Sequence, residues 1–298
     1  MNYHQERILV TGASGVIGSE LVKQLSDSDA IFRIGVHSNE SANKLTKISR
    51  GGDFAEIDYE KPDTLSIACK DVDRVFLLIS GPQAVEHASR FVNGAMKAGV
   101  RYIVKISHLR ADAEPGVTIT RLHRQVEKVI EESGIEFTFL RPNSFMQNFV
   151  KFYAQSIRSK NAFYVPGGNA KVSFVDVRDI ASVAANILID ENGNGEMTHI
   201  GRAYDITGPE ALSYNRAAEI LSKITNKKIS YVNSTHTEAR QGMREMGMDE
   251  WFINIALELY DSYRKGYASN ISPAVESITG TKPRTFIEFA KEHARYFN

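Results

Sequence analysis

Cysteine is almost absent from this chain: Cys69 is the only one among 298 residues. An intrachain disulfide and any cysteine-rich metal site are thereby excluded, and the expected role of Cys69 is packing within a helix. The eight histidines are scattered, with no His-x-His or His-x-x-x-His pair, so no metal centre is expected. Neither sign of charge is in excess, with 36 Lys and Arg against 36 Asp and Glu. No broad electrostatic footprint for nucleic acid follows from such a balance. Long apolar runs are also lacking, and stretches such as 75–79 fall far short of the ~20 residues that cross a bilayer. The opening MNYHQERILV has no basic segment followed by an apolar stretch and a small-residue cleavage site. The expectation is a cytoplasmic protein that engages no membrane. No Gly-x-Ser-x-Gly elbow occurs, which argues against an α/β-hydrolase.

What is present is concentrated first in RILVTGASGVIG, residues 7–18. An apolar run, Ile8-Leu9-Val10, feeds a turn carrying Gly12, Gly15 and Gly18. Val16, Ile17, Leu21, Val22 and Leu25 then repeat at helical spacing. Strand, glycine turn and helix form the layout that holds a pyrophosphate. The first glycine allows the sharp turn, the second lets backbone approach the phosphates, and the third lets helix pack on strand. Amide groups and the positive dipole end at the helix start face the anion. The expected cofactor-facing residues are Gly12, Ser14, Gly15, Val16, Ile17 and Gly18. The turn lacks the Gly-Lys-Ser/Thr ending of a nucleoside-triphosphate loop, so a P-loop is excluded.

Strand and helix patterns alternate through the first half. Strands are expected at 31–37, 54–57, 74–80, 102–107 and 136–140, with helices opening at 61–63 and spanning 84–98 and 119–132. Uninterrupted alternation predicts a Rossmann-type, doubly wound parallel α/β sheet with helices on both faces. Residues 1–150 are read as an NAD(P)-binding Rossmann domain, and 151–298 as a smaller, mostly helical α+β lobe for substrate. Elements around 172–190 and 203–206 are expected to rejoin the sheet, and ENGNG at 191–195 reads as an exposed turn. A substrate cleft is expected outside the carboxyl ends of the strands.

TGASGVIG, ISGP (79–82), AGVRYIVKIS and SGIEFTFLRPNSFMQN together resemble the NmrA-like branch of the atypical short-chain dehydrogenases/reductases. YDITGPEALSYNRAAEILSKIT and TGTKPRTFIEFA resemble its C-terminal region. That branch holds NAD(P)H-dependent quinone, azo-dye and triphenylmethane-dye reductases, and also redox-sensing regulators that bind the nucleotide without turning it over. Ordinary short-chain reductases place a Tyr and a Lys four residues apart on one helix, the Tyr donating a proton to a carbonyl oxygen. Here no tyrosine occurs between Tyr102 and Tyr153. On the corresponding helix stand His123 and Glu127, four apart and on adjacent turns of one face. Ile119, Leu122, Val126 and Ile130 form its buried stripe, while Arg121, Arg124 and Lys128 read as a solvated face.

His123 resembles the position where related benzylic ether reductases place a lysine. It is the candidate proton donor, with Glu127 expected to favour its charged form; the alternative is a ring that borders the core and bonds a neighbour. Ser107 matches the serine of the wider superfamily, and is a candidate for the cofactor and for catalysis or else a backbone partner. His37-Ser38-Asn39 closes the second strand without the carboxylate that repels a 2′-phosphate, with Glu40 one step further and Lys44 on the next helix, so NADP(H) is expected over NAD(H). His37 stands where NADP-preferring relatives carry an arginine, and Arg33 is read as structural. The resemblance further places Asp58 beside the adenine, or as a turn cap. It sets Ser80 and Gly81 along the ribose and pyrophosphate, and Asn143, Phe145 and Met146 over the nicotinamide. Phe145 and Met146 would wall an aromatic acceptor; core packing is the other account of them, and for Trp251 and Phe252 as well. The implied activity is hydride transfer to a quinone-like or conjugated aromatic acceptor, with nucleotide sensing without catalysis as the alternative. A sugar-nucleotide epimerase is disfavoured by the missing tyrosine. A homodimer is compatible with all of these.

Overall fold

Short strands joined through amphipathic helices give the first half its order: β1 (Arg7–Val10), α1 (Val16–Ser26), β2 (Ile31–Val36), α2 (Asn39–Leu45), β3 (Asp53–Glu56), α3 (Pro62–Ala68), β4 (Arg74–Leu77), α4 (Ala84–Ala98), β5 (Tyr102–Ile106), α5 (Thr118–Ser133) and β6 (Glu136–Pro142). The computed structural model describes residues 6–189 and 199–298; the turn expected at 191–195 lies outside them. The strands line up as β3-β2-β1-β4-β5-β6, and Arg202–Ile206 adds a seventh beside β6. Pairing is parallel from β3 through β6. The chain therefore winds outward from β1 to β3 and then resumes on the other side of β1 with β4. That reversal leaves a crevice at the carboxyl ends of β1 and β4.

β4 and β5 are buried at every position, as strands covered on both faces must be. Leu9, Val75, Leu77, Ile103 and Phe139 pack with Leu65, Ala88, Phe91, Val92, Val126 and Ile130 from α3, α4 and α5. The spacing of Ala84, Ala88, Phe91, Val92 and Ala95 puts one face of α4 against the sheet, and Gly99, at φ 81°, ends that helix in the left-handed conformation. β4 stops at Leu77, short of residue 80, because the Leu78 N–H is given to the Thr11 hydroxyl at 2.9 Å. Cys69 follows α3, fully buried, and burial pushes its thiol up to about 12. No described helix is long and apolar enough to cross a membrane.

Two compact units divide the chain. The first comprises 1–112, 120–141 and 177–205, and the second 113–119, 142–176 and 206–298. The division after Arg141 falls earlier than residue 150. The helix Val177–Ile189 and the strand Arg202–Ile206 both lie with the sheet. The second unit contains strands as well as helices: Ala162–Val165 pairs in parallel with Ser230–Asn233, and Lys171–Val172 antiparallel with Leu212–Ser213. Its aromatic core centres on Phe149, which meets the rings of Tyr153, Phe163, Phe174 and Phe286 edge-on at 4.8–5.6 Å. Phe149 is fully buried. Its truncation, Phe149→Ala, is expected to destabilise the protein by about 3–5 kcal/mol, seen as a lower urea midpoint; a change under ~1 kcal/mol would show that the cluster does not hold this unit together.

Candidate active site

The glycine turn sits at the crevice beside β4. Gly12 takes φ +61°, and a Cβ there would lie 3.0 Å from that of Leu78. Gly18 on α1 touches the turn directly: a Cβ on it would run into the Gly12 carbonyl and lie 2.8 Å from the Ala13 Cα. Only glycine lets the helix begin this close to the strand. Thr11, fully buried, extends the β1–β4 ladder through its N–H to the Phe76 carbonyl at 3.0 Å. Ser14, Gly15 and Val16 are exposed, while Ile17 and Gly18 are buried. No side chain caps α1, and its first turn carries no acidic residue. By contrast Ser38, Ser213, Thr235, Asp249 and Thr285 cap the helices that follow them. The start of α1 thus offers backbone amides, a positive dipole end and open space, the combination that suits a diphosphate. These residues fit a dinucleotide's pyrophosphate.

The other candidates around the sheet are placed as follows. His37 and Ser38 are exposed at the end of β2, Ser38 capping α2 through Ser41 N–H at 3.3 Å. Lys44 pairs with Glu40 at 2.7 Å, both exposed, a contact worth little and readily exchanged. Asp58 accepts the Glu60 N–H at 2.9 Å and pairs with Lys61 at 3.1 Å, so it braces its own turn. Ser80 is exposed, and Gly81 has φ +100°. Arg33 ties β2 to Asp53 at 2.6 Å and to the Ala68 and Lys70 carbonyls.

Beyond β5 the geometry departs from expectation. The Ser107 hydroxyl donates to Glu127 at 2.5 Å. Glu127 is fully buried and accepts from Arg141 at 2.9 and 2.8 Å and from Arg124 at 3.1 Å. Arg141 also reaches Asp112 at 2.6 Å. Burial opposes ionisation of Glu127, yet Arg141 and Ser107 hold its carboxyl below the usual carboxylate range. Glu127 is therefore not His123's partner, and Arg124 is half-buried, paired with Glu127 and Glu131. His123 is held neutral instead: burial, then the positive charge of Lys105, then His108, depress its pKa well below the ordinary value. Its Nδ1 lies 3.0 Å from Lys105 Nζ.

Lys105 is the residue the sequence reading overlooked. It is the fourth residue of β5, its register neighbours are Leu77 and Phe139, and it is fully buried. Its Nζ also donates to the Ile106 carbonyl at 2.9 Å. Burial lowers its pKa from 10.5 to about 7, with Glu127 opposing the fall and Arg141 adding to it. The available signal was one charged residue inside the buried run YIVKI.

In the second unit, Asn143 is buried. Its amide donates to Ser173 Oγ and the Ala268 carbonyl, each at 2.8 Å, while its oxygen takes the Ser144 N–H at 2.8 Å. Those bonds commit Asn143 to its own unit. Phe145 is half-buried and bridges Val175, and Met146 belongs to the aromatic core rather than to an open wall. Trp251 is half-buried and Phe252 exposed, the latter 6.1 Å from the Phe152 ring. Among the described residues no cluster suited to a metal ion occurs.

A parallel sheet with a glycine turn at its reversal defines a Rossmann-type dinucleotide-binding fold. The NmrA-like family model matches residues 4–290, and the chain belongs to that family. It is 37% identical to an NAD(P)H azoreductase of Xenophilus azovorans, over 97% of this chain and 99% of that one. The triphenylmethane reductase of Citrobacter sp. superposes with a TM-score of 0.84 at 24% identity, covering 97% and 99% of the two chains. An NADPH-dependent quinone oxidoreductase from Escherichia coli, solved with NADPH, gives 0.84 at 23% identity, covering 96% and 99%.

The buried lysine has a consequence for stability. Between about pH 7 and 10.5 the unfolded chain holds Lys105's proton while the folded chain releases it. Folding therefore gains stability as pH rises through that window, by at most ~1.4 kcal/mol per pH unit. Urea unfolding at pH 6 and pH 9 should show this gain in the wild type and its loss in Lys105→Met. Parallel pH dependence in the two proteins would mean that Lys105 is not titrating there.

Proposed function

We propose that this chain is an NAD(P)H-dependent reductase that passes hydride to a quinone-like or conjugated aromatic acceptor and prefers NADP(H) to NAD(H). The observation that carries the reading is the uncapped, uncharged start of α1, held against the Gly12 carbonyl by Gly18, in a chain 37% identical to an NAD(P)H azoreductase. A reduced nicotinamide supplies the hydride. The protein's part is to hold the pyrophosphate at 12–18, to accept a 2′-phosphate beside His37, Ser38 and Lys44, and to provide a proton at His123. Ser80, Gly81 and Asp58 flank the nucleotide in this reading. Ser107 supports Glu127, and Asn143 and Phe145 shape the second unit's loop.

The absence of a carboxylate at 37 and 38 supports NADP(H). Glu40 is the next acidic residue along the chain, and it is paired with Lys44. Acceptors that delocalise the added charge suit a site without a Tyr–Lys pair, because orientation then carries most of the rate.

NADPH absorbance followed with a panel of quinones, azo dyes and triphenylmethane dyes tests the reaction, and saturable turnover is the expected result. Nucleotide binding with no turnover would favour the sensing role instead. NADPH should bind about tenfold more tightly than NADH, the worth of one charge-assisted hydrogen bond of ~1.5 kcal/mol to the 2′-phosphate. Tighter NADH would overturn the preference.

A further inference from the structure

We propose that Lys105 is a positioning residue that fixes His123 with its hydrogen on Nε2 and recharges the ring from behind as that hydrogen leaves. The proposal rests on the reductase reading and deepens its proton step. An ammonium has no lone pair, so Lys105, whenever charged, must donate from its Nζ to His123 Nδ1, 3.0 Å away. Nδ1 must then be the unprotonated nitrogen, and Nε2 carries the hydrogen. Among the described residues Nε2 has no partner.

The surroundings hold Lys105 in this task. Its second hydrogen goes to the Ile106 carbonyl at 2.9 Å, and Leu77 and Phe139 enclose it along the sheet. No carboxylate among the described residues comes within ion-pairing distance, because α5 turns Glu127 toward Arg141, Arg124 and Ser107. His108, whose Nδ1 donates to the Leu109 carbonyl at 2.8 Å, faces His123 at 6.0 Å between ring centroids. The groups facing the pair are thus His108 after β5, Glu127 on α5 and Arg141 on β6. Burial keeps both imidazoles neutral.

A neutral imidazole is a poor acid unless a proton arrives on its other nitrogen. Reduction of a quinone consumes one hydride and one proton. Once the hydride has been taken up, the quinone is reduced and its oxygen anionic, and the nicotinamide is oxidised. The Nε2–H bond breaks as the new O–H bond forms, while a hydrogen passes from Lys105 Nζ to His123 Nδ1. His123 ends neutral in its other tautomer and Lys105 ends as a neutral amine. Water returns the proton through Nε2 after product departs. A cationic triphenylmethane dye differs: hydride on its central carbon gives a neutral product, and no proton is needed.

Nitrogen-15 NMR of histidine-labelled full-length protein, without ligand, reads the tautomer directly. The expected result at pH 6 is His123 protonated on Nε2 with Nδ1 accepting; protonation on Nδ1 would overturn the assignment. In Lys105→Met the ratio of quinone to triphenylmethane-dye turnover should fall about a hundredfold, the ordinary worth of a positioned acid. The wild type's decline in quinone turnover above about pH 7 should vanish with it. An unchanged ratio would overturn the relay. If Lys105→Met does not fold, the wild-type tautomer and the pH profile of its quinone-to-dye ratio decide. If neither acceptor is reduced by the wild type, the reductase reading fails, and the tautomer alone still decides what Lys105 does to His123.

Discussion

The Glu127 carboxylate fixes the roles of its neighbours. It is fully buried and gathers Ser107 from the end of β5, Arg124 from its own helix and Arg141 from β6. Removing one partner of such a buried pair costs about 3–5 kcal/mol, since the other charge is left uncompensated. The arrangement therefore locks α5 onto the end of β6. It also decides the chemistry around it. Ser107 is engaged as a donor, Glu127 cannot serve His123, and the imidazole turns its Nδ1 to Lys105.

On the other side of β4, beside β1, the constraint is steric rather than electrostatic. Helix α1 begins against the Gly12 carbonyl, a contact that any side chain at position 18 would block. Thr11 strengthens the strand crossing there by bonding both Phe76 and Leu78. A rigid turn with exposed amides results, and rigidity is what lets backbone groups orient a flexible dinucleotide at low entropic cost.

Local chemistry was legible in the sequence wherever one element sufficed to state it. The glycine turn, the span and cap of α4, the packing role of Cys69 and the structural role of Arg33 all follow from residue types within a short window. The pairing of the second unit's strands was harder, because 162–165 and 230–233 meet across a long separation and carry no common pattern. Asn143 is a similar case: its partners, Ser173 and Ala268, lie far along the chain. Helical spacing put Glu127 beside His123, which is true of the helix surface and false of the bonds made. The choice between Glu127 and Lys105 is set by how α5 is rotated over the sheet, and residue spacing on one helix carries no record of that rotation.

At Lys105 local pattern and tertiary environment conflict outright. Leucine or methionine between Leu77 and Phe139 would satisfy the sheet, and replacing buried charge by apolar volume is often stabilising by ~1–4 kcal/mol. An ammonium stripped of water and given, among the described residues, a carbonyl and an imidazole as partners is a standing cost to the folded state. Local rules are broken most often where function requires it, and perturbed ionisation gathers at such places. A structural lysine would be expected to find a carboxylate, and Glu127 is near enough to act on its charge yet directs its oxygens to arginine. What this geometry delivers, and an ion pair would not, is a proton held loosely behind a neutral histidine.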